Sequence, residues 1–465
     1  MNTHSVLEHA LTEILHVLNP LREDLETRMQ IIDELRDAVS TIDSLRGATV
    51  EPFGSFVSQL FTRWGDLDIS IELSNGKHIS VAAKKHKQSL LGEVLKVLRK
   101  TGRFSRLQFV SHARVPILKL ESRYHQNVSC DISINNLSGQ MKSKFLLWIS
   151  LIDRRFRDMV LLVKEWAKTN NINNPKTGTF NSYSLSLLVI FHFQTCVPAI
   201  LPPIKDLYLG NIAGELIGVR ADVERRIEEV SFSNITKFRR ERRVNHSSLS
   251  ELFTSFLGKF SDIGNRATEQ GICTYTGRWE DIYTTTRWLP KTYAIFIEDP
   301  FDQPQNTARA VNSSQLTRIS EAFSNTYHRI IAPNQTRNTL IPFLVRREIS
   351  HFFPVAAFMN PMHSRTYRNS HHSGDHASSK FQKTRQRRNL NDTDPQIAKQ
   401  ASQGQRPWNR PNKMAREATR PSEGQKPKLT HTLQTAQPNN VTSQRPVKPS
   451  KGQPQQVWRP KQSDI

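Results

Sequence analysis

The chain has 465 residues, 37% of them hydrophobic, and its 65 Lys and Arg outnumber 42 Asp and Glu for a net charge of +23. That length suits two or three domains, and the basic balance points to a polyanionic partner, nucleic acid before membrane. Cys130, Cys196 and Cys273 are too scattered for a disulfide framework or a cysteine-built zinc site, which points to a reducing compartment, cytoplasm or nucleus; the most apolar stretch, Tyr183–Cys196, is shorter than the roughly 20 residues of a membrane span.

In chain order, the first twenty residues carry acidic groups and no basic start, unlike a signal peptide. Val6–Leu18 and Leu25–Leu45 read as amphipathic helices around a break at Pro20. Gly54-Ser55 then makes a turn, and Asp66–Leu73 alternates as a strand. Ser89–Lys100 has helical spacing, and Arg106–Val110, Val115–Glu121 and Val128–Ile134 read as strands. A helix followed by three strands predicts an α+β unit with a mixed or antiparallel sheet.

From Met141 the pattern turns helical: Asp153–Asn170 is amphipathic, Ser182–Cys196 nearly all apolar, Ser248–Phe260 amphipathic and Asn312–Ile331 a last helix. Lys205–Val244 is polar and charged, an insertion or surface helices, and Trp288–Phe301 looks extended. From Thr336 onward 23 Lys and Arg face 7 Asp and Glu, a net of +16, which leaves +7 for the first 335 residues. Ile341–Phe358 is ambiguous, and roughly 360–465 is too poor in apolar residues to offset chain entropy, so disorder is expected there.

The chemistry concentrates in "FGSFVSQLFTRWGDLDISIEL" at 53–73. Strand alternation puts Asp66 and Asp68 on one face and Leu67, Ile69 and Ile71 on the other. Two like charges held together are costly unless a cation joins them, and Mg²⁺ shared with substrate phosphates suits the pair. A lone pair of this spacing also occurs in sugar-transferring enzymes. Two further features narrow the reading. Gly54 lets a phosphate approach the backbone and Ser55 can donate to it. Asp131, in "VSCDISI", sits on the polar face of a strand whose other face carries Val128, Cys130, Ile132 and Ile134. Three carboxylates on adjacent strands can hold two metal ions for phosphoryl transfer.

Gly-Ser, then Gly-Asp-x-Asp, then a later strand Asp resembles the polymerase-β-like nucleotidyltransferases. Within them the chain is most similar to terminal uridylyltransferases and their cytoplasmic poly(A) polymerase relatives, from about Leu25 to Ile331. The segments "GATVEPFGSFVSQLFTRWGDLDIS", "GTFNSYSLSLLVIFHFQTC" and "WLPKTYAIFIEDPF" look like plant enzymes that uridylate small RNAs. The resemblance implies addition of UMP from UTP to RNA 3′ ends, marking small RNAs for decay, with Mg²⁺ or Mn²⁺ held by Asp66, Asp68 and Asp131. It implies nucleotide binding by Gly54, Ser55, Lys164, Lys168, Ser182 and Tyr183, with the tyrosine stacking on uracil, and base recognition by Glu298 and Asp299. Lys164 and Lys168 are four apart on one helix, so both can reach one triphosphate. Two features depart from the family. Gln305 stands where some uridylyltransferases carry a histidine that favours uracil, and Lys142-Ser143 stands where Asn-Thr is common.

The expected organisation is an N-terminal helix (1–24) packing on a helical domain, a nucleotidyltransferase domain (25–140), a helical poly(A)-polymerase-associated domain (141–335) and a basic, largely disordered tail (336–465). In the tail the run at 380–390 suits phosphate contact or nuclear import, and Trp408 and Trp458 suit docking to an Argonaute-type small-RNA-binding protein. The histidines at 363, 371, 372 and 376 read as a flexible polar tract.

Overall fold

The computed structural model describes residues 3–73, 83–125, 128–289 and 293–354. The chain divides into one unit of residues 1–363 and a second of residues 364–465. The second unit, and with it the basic run, both tail tryptophans and the tail histidines from 363, lies outside the described residues.

The first part is α1 (Thr3–Leu18), α2 (Arg22–Ser40), β1 (Thr49–Phe53), α3 (Gly54–Val57), β2 (Leu67–Glu72), α4 (Lys84–Thr101), β3 (Phe104–Val110), β4 (Ile117–Ser122) and β5 (Ser129–Ile134). The strands form a mixed sheet in the order β1-β2-β5-β4-β3, with β2 and β5 parallel and the other neighbours antiparallel. Alternation sends Leu67, Ile69 and Ile71 of β2 and Cys130, Ile132 and Ile134 of β5 into one core. Ile31, Ile32, Leu35 and Val39 of α2 and Leu90, Leu91, Val94 and Leu98 of α4 cover that face at helical spacing. The opposite face is left for polar groups, and register fixes which of them meet. Asp68 lies opposite Asp131 across β2 and β5, and Asp131 lies opposite Lys119 across β5 and β4. Asp66 stands one residue before β2 instead of within it.

The second part is helical: α5 (Leu137–Ser150), α6 (Arg154–Thr169), α7 (Ser182–Gln194), α8 (Ile204–Leu207), α9 (Ile212–Glu215), α10 (Arg220–Glu241), α11 (Leu249–Phe260), α12 (Ile263–Arg266), α13 (Ser313–Ile331) and α14 (Arg337–Leu344). Helix α7 is buried all round from Ser184 to Gln194, which explains its lack of an apolar stripe. Asn181 caps it by accepting the Ser184 N–H. Helix α1 joins this part, not the sheet: Leu7, Ala10, Leu11, Ile14 and Leu18 share its core, and Glu8 accepts the Ser250 N–H at the start of α11. Among the described residues no helix is long and apolar enough to cross a membrane.

Lys205–Val244, read as an insertion or surface helices, is indeed helical: α8, α9 and the long α10, which buries only Val223, Ile227, Ser231 and Ile235. Two expectations need correction. Among the described residues of Trp288–Phe301, only Ile297–Glu298 (β8) is strand, in a small sheet with β6 (Gln270–Cys273) and β7 (Arg278–Asp281), a hairpin whose short strands carry little pattern. Residues 336–354, placed by composition in the tail, are folded. Leu340, Ile341, Leu344, Val345, Ile349 and Phe353 join the helical core, Arg337 pairs with Glu13, and Arg346 pairs with Glu165 at 2.9 Å. A few apolar residues at helical spacing outweigh the basic composition there.

Candidate active site

A cavity of about 540 Å³ opens beside the polar face of the sheet, within the roughly 300–1,000 Å³ typical of ligand sites. Its wall carries Gly54, Ser55, Asp66, Asp68, Lys142, Ser143, Lys164, Lys168, Ser182 and Tyr183, gathered from the α3 turn, β2, α5, α6 and α7. Of the eleven residues expected to act, eight line it; Asp131, Glu298 and Asp299 do not.

Gly54 is required by its surroundings. Its φ is +67°, and a Cβ there would lie 1.9 Å from Asp68 Oδ2. The glycine therefore lets the carboxylate sit against the turn. Ser143 fixes the other side: the Gly54 N–H donates to Ser143 Oγ at 2.7 Å, and that hydroxyl donates to Gly139 O at 2.7 Å.

Asp66 and Asp68 are buried close to each other and to Asp131. Burial, then the charges of Asp131 and Asp66, raises the Asp68 carboxyl to about 7. Asp66 is raised too, by desolvation in the cleft and then by Asp131. Asp131 is engaged by a residue the sequence reading passed over: Lys119 Nζ donates to both its oxygens at 2.6 Å. The lone lysine between Leu118 and Leu120 was visible in the sequence, but its partner depends on strand register. Among the described residues no three carboxylate, imidazole or thiol groups stand close enough to hold a metal ion as they are.

Two lysines of α6 share the cavity wall with Asp66 and Asp68. Lys164 is buried, its Nζ donating to Leu60 O at 2.8 Å, and burial, then Lys168, pushes it down to about 7. Lys168 is lowered as well, by burial and then by Arg346. A ligand that brings cations to the carboxylates and anions to the lysines suits both. The folded C-terminal segment backs this end of the cavity, with Phe352 packed on Trp64 at 5.9 Å between ring centroids.

At the other end, Ser182 exchanges a weak hydrogen bond with Asn173 at 3.3 Å, and Tyr183 donates to Asp299 Oδ1 at 2.9 Å. Burial, then Asp299, raises the Tyr183 phenol well above its usual value. Asp299 also accepts from Lys142 Nζ at 2.5 Å and from the Phe301 N–H at 3.1 Å. Glu298, expected beside it as a base reader, is a correction. Its side chain is fully buried and accepts from Trp288 Nε1 at 2.6 Å, Arg287 Nε at 2.8 Å and Cys273 Sγ at 3.0 Å. Strand alternation turns neighbouring residues to opposite sides, so only one of the acidic pair reaches Tyr183. Gln305 accepts from Arg114 at 3.3 Å, and the same guanidinium reaches Asp302 at 2.9 Å, tying the β3–β4 loop to this segment.

Comparison with known proteins gives a consistent picture. The family profile for the central palm domain of mitochondrial-like poly(A) RNA polymerase matches residues 7–150. Protein HESO1 of Arabidopsis thaliana is 57% identical over 351 residues, covering 75% of this chain and 68% of that protein. Terminal uridylyltransferase cid1 of Schizosaccharomyces pombe is 26% identical over 341 residues, covering 69% of this chain and 78% of that protein. The crystal structure of mtPAP in complex with UTP matches with a TM-score of 0.60 at 20% identity, over 73% of this chain and 72% of that one, a likeness of fold.

Proposed function

Because the chain belongs to the terminal uridylyltransferase family of polymerase-β-like nucleotidyltransferases, we propose that its cavity joins UTP to the 3′ end of RNA, adding UMP and releasing pyrophosphate. The observation that carries this reading is the make-up of the cavity wall, which brings the Gly54-Ser55 turn and the carboxylates of Asp66 and Asp68 together with two lysines of one helix, Lys164 and Lys168. A divalent cation with a nucleoside triphosphate suits both sets of charges.

The chemistry of the donors fits such an ion, once Asp131 turns from Lys119 to join Asp66 and Asp68. Asp66, Asp68 and Asp131 offer only oxygens, which suit Mg²⁺ or Mn²⁺. They would hold it, and when bound it would screen the phosphates and lower the pKa of the RNA 3′-hydroxyl. The protein's own groups do the rest. Lys164 and Lys168 attract the triphosphate, and Ser55 and Ser182 donate to its oxygens. Gly54 leaves room for Asp68, and Tyr183 offers a face on which the uracil stacks. Asp131 accepts the proton of the 3′-hydroxyl as that oxygen bonds to the α-phosphorus and the bond to pyrophosphate breaks. Lys119 positions the Asp131 carboxylate on the polar face of the sheet.

Small RNAs, marked for decay, are the proposed acceptors, on the likeness of whole segments to plant small-RNA uridylyltransferases. The cytoplasm or nucleus is the proposed compartment, in keeping with three free cysteines. An Argonaute-type partner is proposed for the tail. A second reading, adenylate addition, is favoured by the palm-domain match. An adaptor without activity is disfavoured by the complete set of Asp66, Asp68 and Asp131. The test is incubation of labelled RNA with each nucleotide separately, using the wild type and Asp66→Ala. Extension with UTP by the wild type alone is expected, and equal extension by Asp66→Ala refutes the catalytic assignment.

A further inference from the structure

Three cations line the cavity, and they divide by position. Lys164 and Lys168, on α6, lie within the electrostatic reach of Asp68 and Asp66 respectively. Lys142, on α5, lies at the other end, with its Nζ 5.7 Å from the centroid of the Tyr183 ring and bonded to Asp299. On the reading of this cavity as a nucleotide site, the α6 lysines stand with the phosphates and Lys142 stands where a base laid on Tyr183 ends.

We propose that Lys142, not an acidic residue, is the group that selects the base, by donating to a ring carbonyl. Asp299 has little left to give. A carboxylate offers about four acceptor positions. Lys142, Tyr183 and the Phe301 N–H take three of them. Asp302, the other nearby carboxylate, is 3.9 Å from Lys142 Nζ and holds Arg114 at 2.9 Å. Of the two acidic residues that the sequence offers as base readers, Glu298 is thus enclosed and Asp299 has most of its acceptor positions taken, and neither lines the cavity.

Lys142 does line it. An ammonium has three hydrogens and no acceptor. One hydrogen goes to Asp299, and the side chain still lines the cavity. A donor-only group there meets the carbonyl oxygens of uracil favourably. Adenine has no carbonyl and turns an amino group, itself a donor, to the corresponding edge. A site that offers hydrogen bonds to one base and leaves a charged donor unmatched against another discriminates more strongly than a pocket of apolar shape. The helix bearing Lys142 also bears Ser143, which holds Gly54. One turn of α5 therefore couples the base end of the cavity to the carboxylate end.

The test measures kcat/KM for UTP and for ATP separately, on one short RNA, for the wild type, Lys142→Met and Lys142→Arg. Methionine keeps much of the side-chain length without the charge, and arginine keeps the charge. The expected result is a fall of about tenfold in the UTP-over-ATP ratio for Lys142→Met, with most of the ratio restored in Lys142→Arg. Equal loss for both nucleotides means that Lys142 only braces Asp299, and overturns the inference. An unchanged ratio overturns it too. If Lys142→Met does not fold, Lys142→Gln is measured by the same criterion. A wild type that extends RNA with neither nucleotide refutes the proposed function instead, so the two failures are distinguishable.

Discussion

Replacing Gly54 with alanine separates folding from catalysis. The new methyl group would lie 1.9 Å from Asp68 Oδ2 and 2.7 Å from its Cγ. Carbon and oxygen rest near 3.5 Å, so the carboxylate must retreat by about 1.5 Å. The backbone conformation adds a separate cost, because φ of +67° is left-handed and disfavours a Cβ by roughly 1–2 kcal/mol. The loss of stability should therefore be modest, a fall of a few degrees in melting temperature. The catalytic loss should be far larger, since misplacing a reacting group by about 1 Å costs on the order of 100-fold. The assay is single-turnover extension of end-labelled RNA at saturating UTP, paired with thermal unfolding of the same sample. A folded Gly54→Ala enzyme within threefold of the wild-type rate would show that Asp68 does not act from the position described, and would refute the reasoning.

Other perturbations follow from the same geometry. Asp68 is raised to about 7, so in metal-free protein the native state binds a proton that the unfolded state lacks between about pH 4 and pH 7, and stability falls as pH rises through that window. Asp68→Asn should remove this slope and melt higher than the wild type at pH 8 in EDTA; identical slopes would contradict it. Glu298→Ala should destabilise by about 1–3 kcal/mol, because it removes the buried acceptor of the Trp288 N–H while Arg287 keeps Glu280, and folded molecules should keep their UTP-over-ATP ratio. Ending the chain at 335 should yield unstable protein, because it removes the contacts of Arg337, Arg346 and Phe352. Ending it at 354 should preserve extension of short RNA but weaken RNA binding and flatten its salt dependence, measured by anisotropy titration.

Local pattern carried much of this architecture. Alternation placed β2 and β5, and helical spacing placed α6, α7, α11 and α13 to within a few residues at each end. The acidic face of β2 was legible because each carboxylate interrupts an apolar strand. What local pattern does not contain is register. That Lys119 meets Asp131, and that Glu298 turns inward while Asp299 turns to Tyr183, depends on which strands pair and on what lies behind them. The folded residues after 336 were obscured for a different reason. Their apolar positions are few, and they are stabilised by distant partners, Glu13, Trp64 and Glu165.

The central claim, transfer of uridylate to RNA 3′ ends, is tested most directly by competition. The wild-type protein is given one RNA and all four nucleoside triphosphates at equal concentration with Mg²⁺, and the added 3′ nucleotides are sequenced. The account predicts tails made chiefly of uridine, with a minor fraction of adenosine. Tails made chiefly of adenosine would contradict it.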